Sequence, residues 1–289
     1  MKFNSAKNRW AGKSLLSSIL LASLLASAGC NKFQSRAEIR QGNEFFRVGR
    51  YDTALAKYNT ALQLDPGEKK LYKNIGLAYM GLYQPGSKHP KDLEYSQRAI
   101  DFLKKYVDAF PKDKKAPEFL VTMYLNSGRL DDALAFFQAY SQKLPQDTKA
   151  METMANLYFQ KADFPHGVEM MENAMKITGP KKETYETIGA QAWDKAHNYP
   201  DLTDDQRQAV VTQGIEAMNK SLAMDPNYTE ALAFINLLYR EQAKLDQKTD
   251  PKKAEEDLAK ADEYRNKAIE LQKQKQSQAA ADKQAGVGK

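Results

Sequence analysis

The sequence predicts an all-α fold, a solenoid of about six stacked helical hairpins, and three observations lead there. A 34-residue pattern of small, aromatic and proline positions recurs across residues 35–272. The chain is rich in Ala, Lys, Gln, Leu and Glu, which favour helices, and it lacks the β-branched runs that build strands. Turn residues fall between the two halves of each period and again at its end, as helix–turn–helix units require.

The elements follow in chain order. Residues 1–13 carry Lys2, Lys7, Arg9 and Lys13 and no acid, and Ser14 to Ala28 form a fifteen-residue uncharged stretch of Leu, Ile, Ala and Ser. A basic start and a short apolar run with no polar face describe an export signal, too short for a stable membrane span. Residues 1–29 are therefore expected to be a signal peptide. They hold four of the six net positive charges, so residues 30–289 carry only +2. A nearly neutral remainder offers no electrostatic footprint for nucleic acid.

Cys30 is the sole cysteine, which excludes an intrachain disulfide. The segment Ala26-Ser27-Ala28-Gly29-Cys30 resembles the bacterial lipobox. That resemblance implies cleavage before Cys30, a diacylglycerol on its sulfur and an acylated amine, with Ser27 standing where the family usually has an aliphatic residue. With Asn31 next, the resemblance implies a bacterial envelope protein at the outer membrane, facing the periplasm. Ala26-Ser27-Ala28 is also an ordinary A-x-A cleavage site, which would leave a soluble periplasmic or secreted protein with a free thiol. Residues 30–34 are expected to be a lipidated linker.

Gly42, Phe45, Gly49, Ala54, Tyr58, Ala61 and Pro66 set the repeat. Val121, Tyr124, Gly128, Ala133, Phe137, Tyr140 and Pro145 copy it. Gly76 and Tyr79 lead to Ala99, Leu103, Tyr106 and Pro111; Ala155 and Tyr158 lead to Gly167, Met171, Ala174 and Gly179. Gly189 and Ala192 pair with Gly214, Met218, Ser221 and Pro226, and Asn236 and Tyr239 with Ala261, Arg265 and Ala268. The small residues let paired helices approach, the aromatics fill the gap between hairpins, and the prolines stop each second helix. The repeats span 35–68, 69–113, 114–147, 148–181, 182–228 and 229–272.

Repeats two, five and six carry insertions between their helices. Gln84 to Pro90 reads as a loop, Thr203 with Gln206 as a capping box opening a helix to about Ala223, and Asp250-Pro251 as an N-cap with proline at the first helical position. Residues 273–289 are too polar to build a core and are expected to be a disordered tail.

This spacing resembles the tetratricopeptide repeat (TPR) family over nearly the whole chain after the signal. The resemblance implies a right-handed superhelical α-solenoid that binds other proteins on its concave surface. By the same resemblance the groove positions are Asn43, Phe46, Arg47, Lys70, Lys73, Asn74, Lys115, Glu118, Asn156, Phe159, Glu183, Glu186, Trp193 and Asp194. The early positions are basic and the late ones acidic, a pattern that orients a partner segment. Asn43, Asn74 and Lys115 match three places of the family's clamp for a C-terminal carboxylate, but Ile39 and Phe119 stand where two cations are required.

No catalytic constellation emerges. His89, His166 and His197 lie apart without metal-ligand spacing, and no glycine-rich phosphate loop follows a strand. Asp131-Asp132, Asp204-Asp205 and Glu255-Glu256 stand at helix starts, where negative charge complements the helix dipole. The expectation is a non-catalytic scaffold for other proteins, without cofactor, metal, nucleic acid or small-molecule substrate, held to the membrane by lipid on Cys30. Its alternative is a dedicated assembly factor, resembling the repeat lipoproteins that serve type IV pilus secretins or outer-membrane barrel assembly.

Overall fold

The computed structural model describes residues 30–286, so the expected signal peptide, residues 1–29, lies outside the described residues. Twelve helices and no strand occur among the described residues. They form two compact units that divide between Ala133 and Leu134, inside one helix.

The first unit holds α1 (residues 30–47), α2 (Tyr51–Leu64), α3 (Leu71–Leu82), α4 (Pro90–Ala109) and α5 (Ala116–Asn126). Its core confirms the register read from the sequence. Ala54, Tyr58 and Ala61 on α2 are buried with Leu71, Ile75 and Ala78 on α3, and Ile39, Phe45 and Phe46 of α1 close over them. A Cβ on Gly42 would lie 2.6 Å from the Tyr58 ring, so α1 and α2 reach their spacing only because that position has no side chain. The Ser35 hydroxyl donates to the Ala61 carbonyl at 2.9 Å and ties the start of α1 to the end of α2. Residues 83–89 form the inserted loop before α4.

The helix α6 (Leu130–Lys143) crosses the division. The second unit continues with α7 (Thr148–Gln160), α8 (Phe164–Thr178), α9 (Lys182–Asn198), α10 (Asp204–Met224), α11 (Thr229–Asp246) and α12 (Pro251–Gly286). Ala155, Met171, Ala192, Met218, Ile235 and Leu238 form its core. The Thr203 capping box closes in both directions, with Gln206 N–H on Thr203 Oγ1 at 3.2 Å and Thr203 N–H on Gln206 Oε1 at 3.0 Å. Asp250 Oδ1 caps α12 by accepting from Lys253 N–H at 3.2 Å.

One turn recurs. Gly49, Gly128 and Ala162 each have positive φ, and the next residue's N–H returns to a carbonyl five positions back. This is the helix-ending motif that glycine normally serves; Ala162 holds φ 58° there against the preference of a side-chain-bearing residue.

Two boundary expectations are corrected. Residues 30–34 belong to α1 and are not a linker, because Lys, Phe, Gln and Ser continue without Pro or Gly until Gly42. The expected disordered tail is helical through Gly286. Residues 273–279 are exposed and bury nothing, as their composition implies, but Gln, Lys and Ala sustain helix without a core. In the last repeat Ala261 is buried while Arg265 is exposed, on a side of that helix that no other helix covers among the described residues.

Candidate functional site

The candidate residues lie on first helices of the hairpins or, for Lys70 and Lys115, at the residue just before one, and each unit presents its own set. In the first unit, α1 and α3 meet through their asparagines. Asn74 Nδ2 donates to Asn43 Oδ1 at 3.2 Å, and the same oxygen accepts from the Tyr58 hydroxyl at 2.8 Å. Arg47 and Lys70 are exposed. Lys73 lies 5.1 Å from the Tyr106 ring centre and 4.0 Å from Asp113, so its charge is partly engaged within the fold. The Tyr106 hydroxyl donates to Asp113 at 2.7 Å and holds its carboxyl below the usual range, helped by the Lys115 N–H and by Lys73. Lys115 itself is exposed just before α5, and Glu118 is half-buried.

Phe46 is half-buried and packs edge-on against Tyr51 at 5.2 Å, which makes it chiefly a core-facing residue. Ile39 is in the core cluster, so its position supplies neither cation nor open surface.

In the second unit Asn156 is exposed, but Phe159 is not available to a partner. It is 8% exposed, packs 6.0 Å from Phe164, and occupies the space above Gly167 where any Cβ would come within 2.3 Å of its ring. That assignment is corrected: Phe159 fills the α7–α8 contact that the missing side chain of Gly167 opens. Beside it, Ala162, Gln191, Asp194, Lys195 and Tyr199 line a shallow depression.

The strongest candidate surface is on α9 and α11. Glu183, Glu186, Trp193, Asp194 and His197 recur at helical spacing on one face of α9. Trp193 stacks on His197 at 5.1 Å and meets Phe234 of α11 at 6.1 Å, leaving the indole half-buried. His197 Nδ1 lies 2.7 Å from Glu241, which also accepts from Lys244 at 2.7 Å. Burial pushes the Glu241 carboxyl up, but these two partners outweigh it and hold it low. Two turns toward the start of α9, burial and then the nearby carboxylates of Glu230 and Glu183 push the Glu186 carboxyl up. Glu183 and Glu186 have no ion-pair partner among the described residues.

The sequence reading missed Arg36 and Arg40, although with Asn43 and Arg47 they make the spacing of one helical face. It also missed Phe234 and Glu230, whose signal was their place opposite α9 in the sixth repeat.

Residues 42–82 match the family model described as TPR repeat. The C-terminal part of a TPR repeat-containing protein from Cytophaga hutchinsonii superposes with a TM-score of 0.51 at 15% identity, over 81% of this chain and 78% of that one. A tetratricopeptide repeat protein from Parabacteroides merdae is 13% identical over 83% of this chain and 98% of its own, with a TM-score of 0.48. MamA from Desulfovibrio magneticus is 16% identical over 66% and 97%, with a TM-score of 0.42. No curated protein matches the sequence. The fold is thus all-α, with the TPR repeat matched at residues 42–82.

Proposed function

We propose that the chain is a non-catalytic scaffold that holds partner proteins on the exposed face of its first helices α9 and α11, anchored in a bacterial envelope by lipid on Cys30. The observation carrying the binding reading is the α9–α11 face. Burial and then Glu230 and Glu183 push the Glu186 carboxyl up there, and no cation pairs with Glu186 among the described residues, beside a half-buried Trp193. A partner bringing Lys or Arg would relieve that repulsion, and an apolar side chain would complete the cover of the indole. The lipid anchor rests on sequence alone, on the apolar run and Ala26-Ser27-Ala28-Gly29-Cys30.

Capture from detergent-solubilised membranes tests the reading. The parent chain should retain a specific protein that Trp193→Ala with Glu186→Gln releases, while both fold alike by circular dichroism. An unchanged catch from the double variant would rule this face out as the binding surface. If one secretin or barrel-assembly subunit dominates, the finer function is that of a dedicated assembly factor.

A further inference from the structure

We propose that the outer face of α1 docks on an anionic lipid bilayer, with Phe33 at the interface and Lys32, Arg36, Arg40 and Arg47 among the headgroup phosphates. This rests on the envelope-anchor reading given above, but it assigns a contact that an acyl chain alone does not require.

The buried side of α1 is occupied by Ser35 and Gly42, flanked by Ile39 and Phe45. The opposite side is covered by nothing among the described residues. Arg36, Arg40 and Arg47 are exposed between that side and the Asn43 edge, Lys32 is exposed at the start of the helix nearer the Ser35–Ile39 edge, and none of the four forms an ion pair among the described residues. Of the two acids on the helix, Glu38 is engaged by Lys57 at 3.0 Å, which leaves Glu44 alone among the cations. Phe33, 73% exposed, and Val48, 67% exposed, lie along the same side and are the most exposed large apolar residues described. A helix with cations and an aromatic on one face is suited to the plane of a membrane interface, where the ring enters the headgroup layer and long cationic chains reach the phosphates.

The position of the anchor favours a bilayer over an acidic protein. The apolar run ends at Ala28, and α1 begins at residue 30. At about 1.5 Å per residue, Phe33 lies about 5 Å along the helix from Cys30 and Arg47 about 25 Å. The attraction of a charged surface fades over about 8 Å. An upright helix would leave Arg36, about 9 Å along, at the edge of that range and Arg40 and Arg47 beyond it, whereas a helix lying flat brings the three arginines within it; Lys32, two residues from Cys30, is close in either pose. Each cation close to such a surface is worth about fivefold in affinity.

The test uses the full chain purified from membranes with Phe33→Trp and reconstituted into phosphatidylcholine vesicles, with or without brominated phosphatidylglycerol. The parent, which retains Trp193, gives the background. Brominated anionic vesicles should quench the indole introduced by Phe33→Trp, and the quenching should be lost in Arg36→Gln with Arg40→Gln and at about 0.5 M salt. A chain that floats with the vesicles while the introduced indole stays unquenched overturns the docking and leaves the anchor in place. A chain that fails to float and carries an unmodified Cys30 by mass spectrometry overturns the anchor reading. Quenching of the introduced indole when the same vesicles are then added would sustain the surface contact, and its absence would end it.

Discussion

Asn74 donates its side-chain amide to the Asn43 carbonyl oxygen across 3.2 Å, and this bond joins the exposed faces of α1 and α3. The acceptor also takes the Tyr58 hydroxyl at 2.8 Å. Burial pushes the Tyr58 phenol up to about 12, so it remains a donor across the working pH range. Asn43→Ala should lower stability by about 1 kcal/mol, because a part-buried hydroxyl loses its partner. Asn43→Asp keeps the acceptor and should stay close to the parent. Thermal unfolding of the pair separates the two, and equal losses would refute the assignment.

Glycines at helix contacts should not respond alike to alanine. A Cβ at Gly214 would stand 2.6 Å from the Ala192 Cβ, which has no rotamer by which to yield. A Cβ at Gly189 would meet the buried Met218 at Cε, 2.4 Å, and at Cγ, 2.7 Å, so the methionine must move from its base, although unlike alanine it has rotamers to change. Alanine gains about 1 kcal/mol of helix propensity at either site, against about 1–3 kcal/mol for overpacking. Both variants should therefore be destabilising, Gly214→Ala more than Gly189→Ala, and equal losses in denaturant unfolding would refute the contrast.

Ala162 stands at the turn position that Gly49 and Gly128 occupy in other repeats, with φ 58°. The left-handed conformation costs an alanine about 1–2 kcal/mol, while glycine adds about 0.4–1 kcal/mol of freedom to the unfolded chain. Ala162→Gly should stabilise the chain by about 0.5–1 kcal/mol. A lower melting temperature would show that the turn is not strained.

Asp246 and Asp257 share a buried site between α11 and α12. Asp246 accepts from Gln242 at 2.8 Å and Lys253 at 2.9 Å, Asp257 from Lys260 at 3.2 Å, and Asp257 Oδ2 lacks a partner unless a proton joins the two carboxyls. Burial and then Asp246 push the Asp257 carboxyl up; Asp246 is held low because Gln242, Lys253 and Asp257 outweigh its burial. The raised group favours folding at low pH and loses that contribution as pH rises from its unfolded value, about 3.9, through its folded one. Asparagine at this position donates without needing a proton. Asp257→Asn should raise the melting temperature at neutral pH, and the gain should shrink toward about pH 4. A pH-independent difference would refute the shared proton.

The fold was legible because small residues in a close-packed repeat cannot be replaced without steric cost. Gly42, Gly76 and Gly189 therefore mark helix contacts that the structure contains, and Pro66, Pro111, Pro145 and Pro226 mark real helix ends. The site was less legible. A repeat period assigns Phe159 to a groove position, yet only the three-dimensional gap above Gly167 reveals that the ring turns inward. The tail was misread because the composition that forbids a core does not forbid a helix. Arg36 and Arg40 escaped because they lie at the start of the first repeat, where no earlier hairpin supplies a pattern to compare.

The central claim is that the exposed face of α9 holds a protein. A photoreactive residue in place of Ala190, which lies on α9 between Glu186 and Trp193, tests it in living cells, with Asn219 on the exposed side of α10 as the control. A discrete protein adduct is expected from position 190, lost with Trp193→Ala, and none from position 219. No adduct from position 190, or equal adducts from both, would contradict the claim.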